Sequence, residues 1–229
     1  MDLGISGKRA LVVGASRGMG AAVAKQLSDA GCDTFTVGRR GKVDLLFDVT
    51  DDTERASLFR HVTHADIIVH VVGGSIGIRD PLSPADDMIK VWMANLGAGH
   101  EINRVFLPGM VERGWGRIVH FSSNGVKLAT GNVPYISAKG AVEAYVRNMS
   151  RIYAERGVVI SCVAPGPIET PGIFMYDQSR EWTRAFFDKY VPMKRWGKSE
   201  EVAGAVALLC SQHASYMAGA IVPVDGGMR

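Results

Sequence analysis

Seven short runs of β-branched and apolar residues, separated by stretches of helical character, constrain this chain more than any other feature. The runs are "ALVVG" (10–14), "DTFTVG" (33–38), "DLLFDV" (44–49), "DIIVHVV" (66–72), "RIVHFS" (117–122), "VVISCV" (158–163) and "AIVPV" (220–224). Most are nearly continuous in apolar residues rather than alternating, as strands buried on both faces are. Segments 18–30, 52–63, 84–113, 133–156, 179–190 and 199–212 carry helical patterning between them. Parallel neighbours in a sheet need crossovers, and a helix is the usual one. The expected fold is therefore α/β: a doubly wound, seven-stranded parallel sheet with helices on both faces. Only "RRGKV" separates the second run from the third, so that crossover is shortened to a loop or a single turn.

A sheet covered on both faces needs ample apolar material. The 229 residues, 47% apolar and 21% charged, supply it within one domain, 1–229. A net charge of +3 without a dense basic run gives no reason to expect a nucleic-acid partner. Cys32, Cys162 and Cys210 lie far apart with no C-x-x-C spacing, and read as free thiols of a cytoplasmic protein. The opening "MDLGISGKRALVV" has an apolar run of five, too short for a signal peptide or membrane span.

"LVVGASRGMGAAVAKQL" puts Gly14, Gly18 and Gly20 between the first strand and the first helix, with Ser16, Arg17 and Met19 in the same turn. Residues without Cβ let backbone N–H groups approach a pyrophosphate, and the helix N-terminus adds partial positive charge, as in Rossmann-type folds. Glycines also serve plain tight turns. The placement after a strand and before an amphipathic helix favours the nucleotide reading.

The spacing G-x-x-x-G-x-G, together with "FSSNG", "YISAK", "FDV", "MANL", "APGPIETPG" and the terminal "VDGG", resembles the short-chain dehydrogenases/reductases along nearly the whole chain. Extended members of that superfamily use another glycine spacing and longer chains. The second strand ends "VGRRG", without the acid that meets a free ribose 2′-hydroxyl. Guanidinium groups offer paired donors to a phosphate. Arg39 and Arg17, ahead of Arg40, are thus expected to select NADP(H), unless Arg39 and Arg40 are only solvated loop charges. The resemblance implies that Asp48 and Val49 flank the adenine, although Asp48 could equally cap the following helix. It also places Gly73, Pro165, Gly166, Ile168 and Thr170 against the cofactor.

On a helix Tyr135 and Lys139, four apart, share a face. A nearby ammonium favours a phenolate, so Lys139 is expected to lower the Tyr135 pKa toward the range of a general acid/base. The resemblance gives Tyr135 the proton exchanged with a carbonyl or alcohol oxygen, Lys139 the nicotinamide ribose, Ser123 the substrate oxygen, and Asn95 a water beside the lysine. The Ser123–Tyr135 gap is twelve residues where thirteen is common in the family, and thirteen would select Ser122. Asparagine in a helix interior, with Gly97 and Gly99 nearby, is expected to distort the turn.

Relatives carry N-N-A-G after the fourth strand, where this chain has His70, Val71, Val72 and Gly73. His70 reads as a core histidine that substitutes for the first asparagine. No histidine has metal-ligand spacing, so no metal is expected. Segment 171–196, with Phe174, Met175, Tyr176, Trp182, Phe186 and Phe187, is either ordinary core or a substrate lid. Arg180, Arg184 and Lys189 either meet an anionic substrate or form a solvated face.

The reading is an NADP(H)-dependent oxidoreductase acting on a small carbonyl or secondary alcohol, with 3-oxoacyl thioesters, steroids, sugars and diketones all open. The alternative is a non-catalytic NADP(H)-binding regulator or scaffold, distinguished by NADPH binding without turnover. Family analogy implies a homotetramer (or dimer). The stripe Val142, Tyr145, Val146, Met149 and Tyr153 either packs between subunits or faces the chain's own sheet.

Overall fold

The computed structural model describes residues 2–171 and 180–228. Its strands are β1 (Arg9–Val13), β2 (Asp33–Gly38), β3 (Leu45–Leu46), β4 (Ile67–His70), β5 (Gly116–Phe121), β6 (Val158–Pro165) and β7 (Ile221–Val224). Its helices are α1 (Gly18–Asp29), α2 (Asp52–His61), α3 (Ala85–Trp92), α4 (Ala98–Glu112), α5 (Asn124–Leu128), α6 (Val133–Tyr153), α7 (Arg180–Tyr190) and α8 (Ser199–Cys210). All seven strands form one parallel sheet in the order β3-β2-β1-β4-β5-β6-β7.

The strand periodicity explains the layers. Ala10 and Val12 of β1 face α1 and α8, in a core with Val23, Leu27, Val202 and Val206. Leu11 and Val13 face the other layer, with Leu58, Ile102, Phe106, Val142 and Val146. Val142 and Val146 are fully buried there, and Tyr145, Met149 and Tyr153 pack against the same core, so the α6 stripe faces the chain's own sheet.

The second crossover is the short loop expected, and β3 is only two residues long. Ahead of it, side chains stand in for the ladder. The Asp44 carboxylate accepts from the Thr36 amide (2.8 Å) and hydroxyl (2.6 Å), and the Asp44 amide donates to Thr36 Oγ1 (2.9 Å). The helical stretch 84–113 is distorted where Asn95 was expected to distort it, since a π-helical turn at Met93–Gly97 divides α3 from α4. Asn95 causes it. Its Nδ2 donates to the Val91 carbonyl (2.8 Å), one turn back, and competes with the backbone ladder.

The order reverses between β1 and β4: the chain builds outward through β2 and β3, then returns to β1's other side. In open α/β sheets ligands bind at the carboxyl ends of the strands at such a switch point. Gly14 sits there with φ +92°, and a Cβ on it would lie 2.8 Å from the Val72 amide. Only glycine lets β1 turn away this close to β4. Gly20 has a second reason to be bare, because a Cβ there would strike the Gly14 carbonyl oxygen. Among the described residues no helix is long and apolar enough to cross a membrane, and no group of histidine, cysteine or acidic side chains could hold a metal.

Candidate active site

A cleft of about 650 Å³ opens at the switch point. Gly14, Ser16, Arg17, Gly18, Met19 and Gly20 line its floor, Arg39, Asp48 and Val49 one end, and Gly73 and Thr170 the other walls. Among the described residues, four cationic side chains, Arg17, Arg39, Arg40 and Lys90, face it against the single carboxylate of Asp48. The bare glycine turn, the N-terminus of α1 and this charge balance fit a polyphosphate ligand. Pro165, Gly166 and Ile168 do not line this cleft. Gly166 is bare because a Cβ would meet the Asp225 backbone at 2.7 Å, and Ile168 lines a second cavity of about 450 Å³ beside Arg195 and Val224.

The alternatives for Asp48 separate cleanly. The α2 cap is Asp51, which accepts from the Thr53 and Glu54 amides (both 2.9 Å). Asp48 instead accepts from the Thr50 hydroxyl (2.6 Å) and amide (3.0 Å), and its other oxygen lies 3.3 Å from Arg39 Nη1. Burial would raise its pKa, but the Thr50 hydrogen bonds and the Arg39 guanidinium outweigh that and hold it below the usual carboxylate value.

Sequence reasoning missed the opposite wall, formed by Ile76, Ile89, Lys90, Met93 and Ala94. Lys90 and Ala94 are four apart and precede Asn95, a spacing that could have placed both at the site.

The four proposed catalytic side chains come together beyond Gly73, and none of them lines the cleft itself. Asn132 caps α6 by accepting from the Tyr135 amide (3.1 Å), with Pro134 in the first turn, which sets Tyr135 at the start of the helix. Ser123 is the N-cap of α5 and accepts from the Gly125 amide (3.2 Å). The Ser123 hydroxyl lies near enough to the Tyr135 phenol to pull its pKa down. Ser122 is turned away, donating to Glu143 Oε1 at 2.9 Å. Asn95 clamps Gly74 from both sides, accepting its amide (2.9 Å) and donating to its carbonyl (2.8 Å). A Cβ on Gly73 would lie 2.5 Å from Asn95 Oδ1 and 3.0 Å from Lys139 Nζ. The bare backbone of Gly73 is thus all that separates the cleft from that pair.

One expectation is corrected here. Lys139 shares the Tyr135 face, its Nζ 5.7 Å from the ring centroid, yet it donates to the Phe121 carbonyl (2.6 Å). Burial raises the Tyr135 pKa above its ordinary value, with the Ser123 hydrogen bond pulling the other way. The ammonium is aimed at that carbonyl rather than at the phenol oxygen, and burial lowers its own pKa to about 8.

His70 is the core histidine expected: its Nε2 lies 2.8 Å from Asn103 Oδ1, and burial pushes its pKa down to about 4. A pKa depressed from an ordinary 6.5 means that the folded chain binds fewer protons than the unfolded one between these values. Stability from His70 is complete above pH 6.5 and is lost as pH falls toward 4. The loss is about 3 kcal/mol by linkage. Urea midpoints measured from pH 7 down to pH 4 are expected to fall monotonically, more steeply than in His70→Asn.

In segment 171–196, Phe174, Met175 and Tyr176 and the side chains of Arg180, Trp182 and Arg184 lie outside the described residues. Phe187 is buried against Val191 and Met228, with Leu128, Phe186 and Trp196 around it, so this part of the segment is core. The Lys189 ammonium sits 4.9 Å over the Tyr190 ring.

Comparisons with known proteins agree with this geometry. The family model described as enoyl-(acyl carrier protein) reductase matches residues 14–229. The chain is 31% identical over 250 residues to the 3-oxoacyl-[acyl-carrier-protein] reductase FabG of Pseudomonas aeruginosa, covering 99% of each. It is 31% identical over 247 residues to gluconate 5-dehydrogenase of Gluconobacter oxydans, covering 98% of this chain and 95% of that one. The crystal structure of L-sorbose reductase from Gluconobacter frateurii, complexed with NADPH and L-sorbose, superposes with a TM-score of 0.88 at 26% identity over 100% and 98% of the two chains. With the family model spanning nearly its full length, the chain belongs to the short-chain dehydrogenase/reductase family.

Proposed function

We infer that the protein is an NADP(H)-dependent oxidoreductase that interconverts a carbonyl and a secondary alcohol. The observation that carries this reading is the gathering of Asn95, Lys139, Tyr135 and Ser123 one glycine away from a cationic cleft. Gly14, Gly18 and Gly20 admit the pyrophosphate, and Arg39 with Arg17 holds the 2′-phosphate. Thr170 and Gly73 border the nicotinamide end. The cofactor, when bound, supplies or takes up the hydride.

The side chains handle the proton. Tyr135 is protonated at neutral pH, the state needed to donate to a substrate oxygen during reduction. Ser123 donates to the same oxygen and stabilises the charge that develops on it. Lys139 holds the nicotinamide ribose. Asn95 fixes the Gly73–Gly74 backbone at the edge of the cleft, where a nicotinamide would be bordered. NADPH oxidation followed across a panel of sugar ketones, keto acids and 3-oxoacyl thioesters tests the reading. Binding without turnover on any member would favour a regulator instead.

The two serines give a sharp comparison. Ser123→Ala is expected to lower kcat by roughly 10²-fold, as loss of an oxyanion donor does. Ser122→Ala, which loses its bonds to Glu143 and to the Lys139 carbonyl, should stay within about fivefold. Equal losses in the two variants would contradict the assignment. The three free cysteines are buried and fit the cytoplasm. By family analogy the assembly is a homotetramer or dimer, which sedimentation velocity decides.

A further inference from the structure

One layer beneath the catalytic groups lies a second polar cluster that proton transfer does not use. His70 closes β4, His120 lies on β5, Asn103 and His100 on α4, and Tyr145 on α6. Each of these elements also delivers part of the site: β4 runs on to Gly73, β5 to Ser123, α4 continues the turn holding Asn95, and α6 carries Tyr135 and Lys139. Asn103 joins all four. Its Oδ1 is 2.8 Å from His70 Nε2, and its Nδ2 is 3.2 Å from both His120 Nε2 and the Tyr145 hydroxyl.

A carboxamide oxygen only accepts and its nitrogen only donates. His70 therefore carries its proton on Nε2, whereas His120 accepts at Nε2 and carries its proton on Nδ1. The two rings lie 4.5 Å apart at 31°. Gly99 makes the room, since a Cβ there would stand 3.3 Å from His70 and 3.4 Å from His120. Three further titratable groups face this cluster. They are the Lys139 ammonium from α6, the Cys162 thiol paired with His120 across β6, and His100 beyond Tyr145. Glu143, also on α6, is turned to Ser122 and Arg147. A proton on His120 Nε2 would point at the donor of Asn103, and a charge on either ring would sit near Lys139.

We propose that His70, Asn103 and His120 are positioning residues that set the spacing among the catalytic groups, and that they do so only while both imidazoles are neutral. This inference rests on the oxidoreductase reading. Its test is the pair Asn103→Leu, which removes the bonds, and Asn103→Asp, which offers two acceptors and favours imidazolium. Asn103→Leu should lower kcat by about tenfold to hundredfold, the penalty for slight misplacement, with the NADP⁺ Kd within about threefold of wild type. Asn103→Asp should move the acidic limb of kcat upward by about one pH unit. Long-range proton–nitrogen spectra should show neutral His70 and His120 in opposite tautomers down to about pH 5. Any of three results would overturn the proposal: kcat of Asn103→Leu within twofold of wild type, kcat and NADP⁺ affinity falling together with the melting temperature, or either imidazole titrating at its ordinary value. A wild type without turnover would instead overturn the oxidoreductase reading, and the positioning role with it.

Discussion

Replacing Tyr135 by phenylalanine is expected to lower kcat by about 10³-fold, within the range of a lost general acid or base. The NADPH Kd should change by less than about threefold, because the glycine turn and the arginines proposed to hold the phosphates lie at the cleft's far end. The substitution removes one oxygen, the one beside Ser123, while keeping the ring in place. Direction matters as well. Burial keeps the phenol protonated at neutral pH, so carbonyl reduction should run there, whereas alcohol oxidation should rise with pH until Lys139, whose pKa is about 8, loses its charge. Steady-state rates in both directions, with cofactor binding by fluorescence, check this. A Tyr135→Phe variant within tenfold of wild type would remove Tyr135 from the chemistry.

The second large effect concerns the cofactor. Arg39→Asp is expected to raise the NADPH KM by roughly 10²-fold, since a charge-assisted hydrogen bond is worth about 1.5–3 kcal/mol and a repulsive carboxylate replaces it. Asp48 sharpens the expectation. Among the described residues it is the one acid lining the cleft, and Arg39 stands 3.3 Å from it. Once Arg39 is gone, Asp48 is left uncompensated, close to where a phosphate would sit. NADH, lacking that phosphate, should lose little, so kcat/KM for the two cofactors should converge or reverse. Arg40→Asp serves as the control, with a loss of about fivefold or less. An unchanged NADPH KM in Arg39→Asp would return the arginine to the solvated loop.

Periodicity made most of the fold legible. Continuous apolar runs announced buried parallel strands, and "RRGKV" announced the missing crossover helix. β3 was overestimated because Asp44 and Thr36 bond through side chains where a ladder was expected, a substitution that apolar patterning cannot report. The five-residue helix α5 was missed, since its start depends on the Ser123 cap rather than on amphipathicity. At the site, the i, i+4 spacing placed Tyr135 and Lys139 on one face correctly. It could not reveal that the ammonium turns to the Phe121 carbonyl, because rotamer choice follows from tertiary surroundings. Pro165, Gly166 and Ile168 came from resemblance alone, and the structure sets them away from the main cleft. The Asn103 cluster was invisible for another reason: its members lie up to 75 positions apart, from His70 to Tyr145, and meet only through the sheet order.

The seam between β1 and β4 divides labour along the chain. The turn and arginines proposed to hold phosphate, and Asp48 beside them, all precede residue 50, whereas the proposed catalytic residues Asn95, Ser123, Tyr135 and Lys139 all follow residue 90. Coenzyme preference and bond-making chemistry are thus encoded in separate blocks of the gene product that meet along one line of backbone hydrogen bonds. Grafting the first block from a relative with the opposite coenzyme habit should transplant that habit while leaving the turnover step untouched.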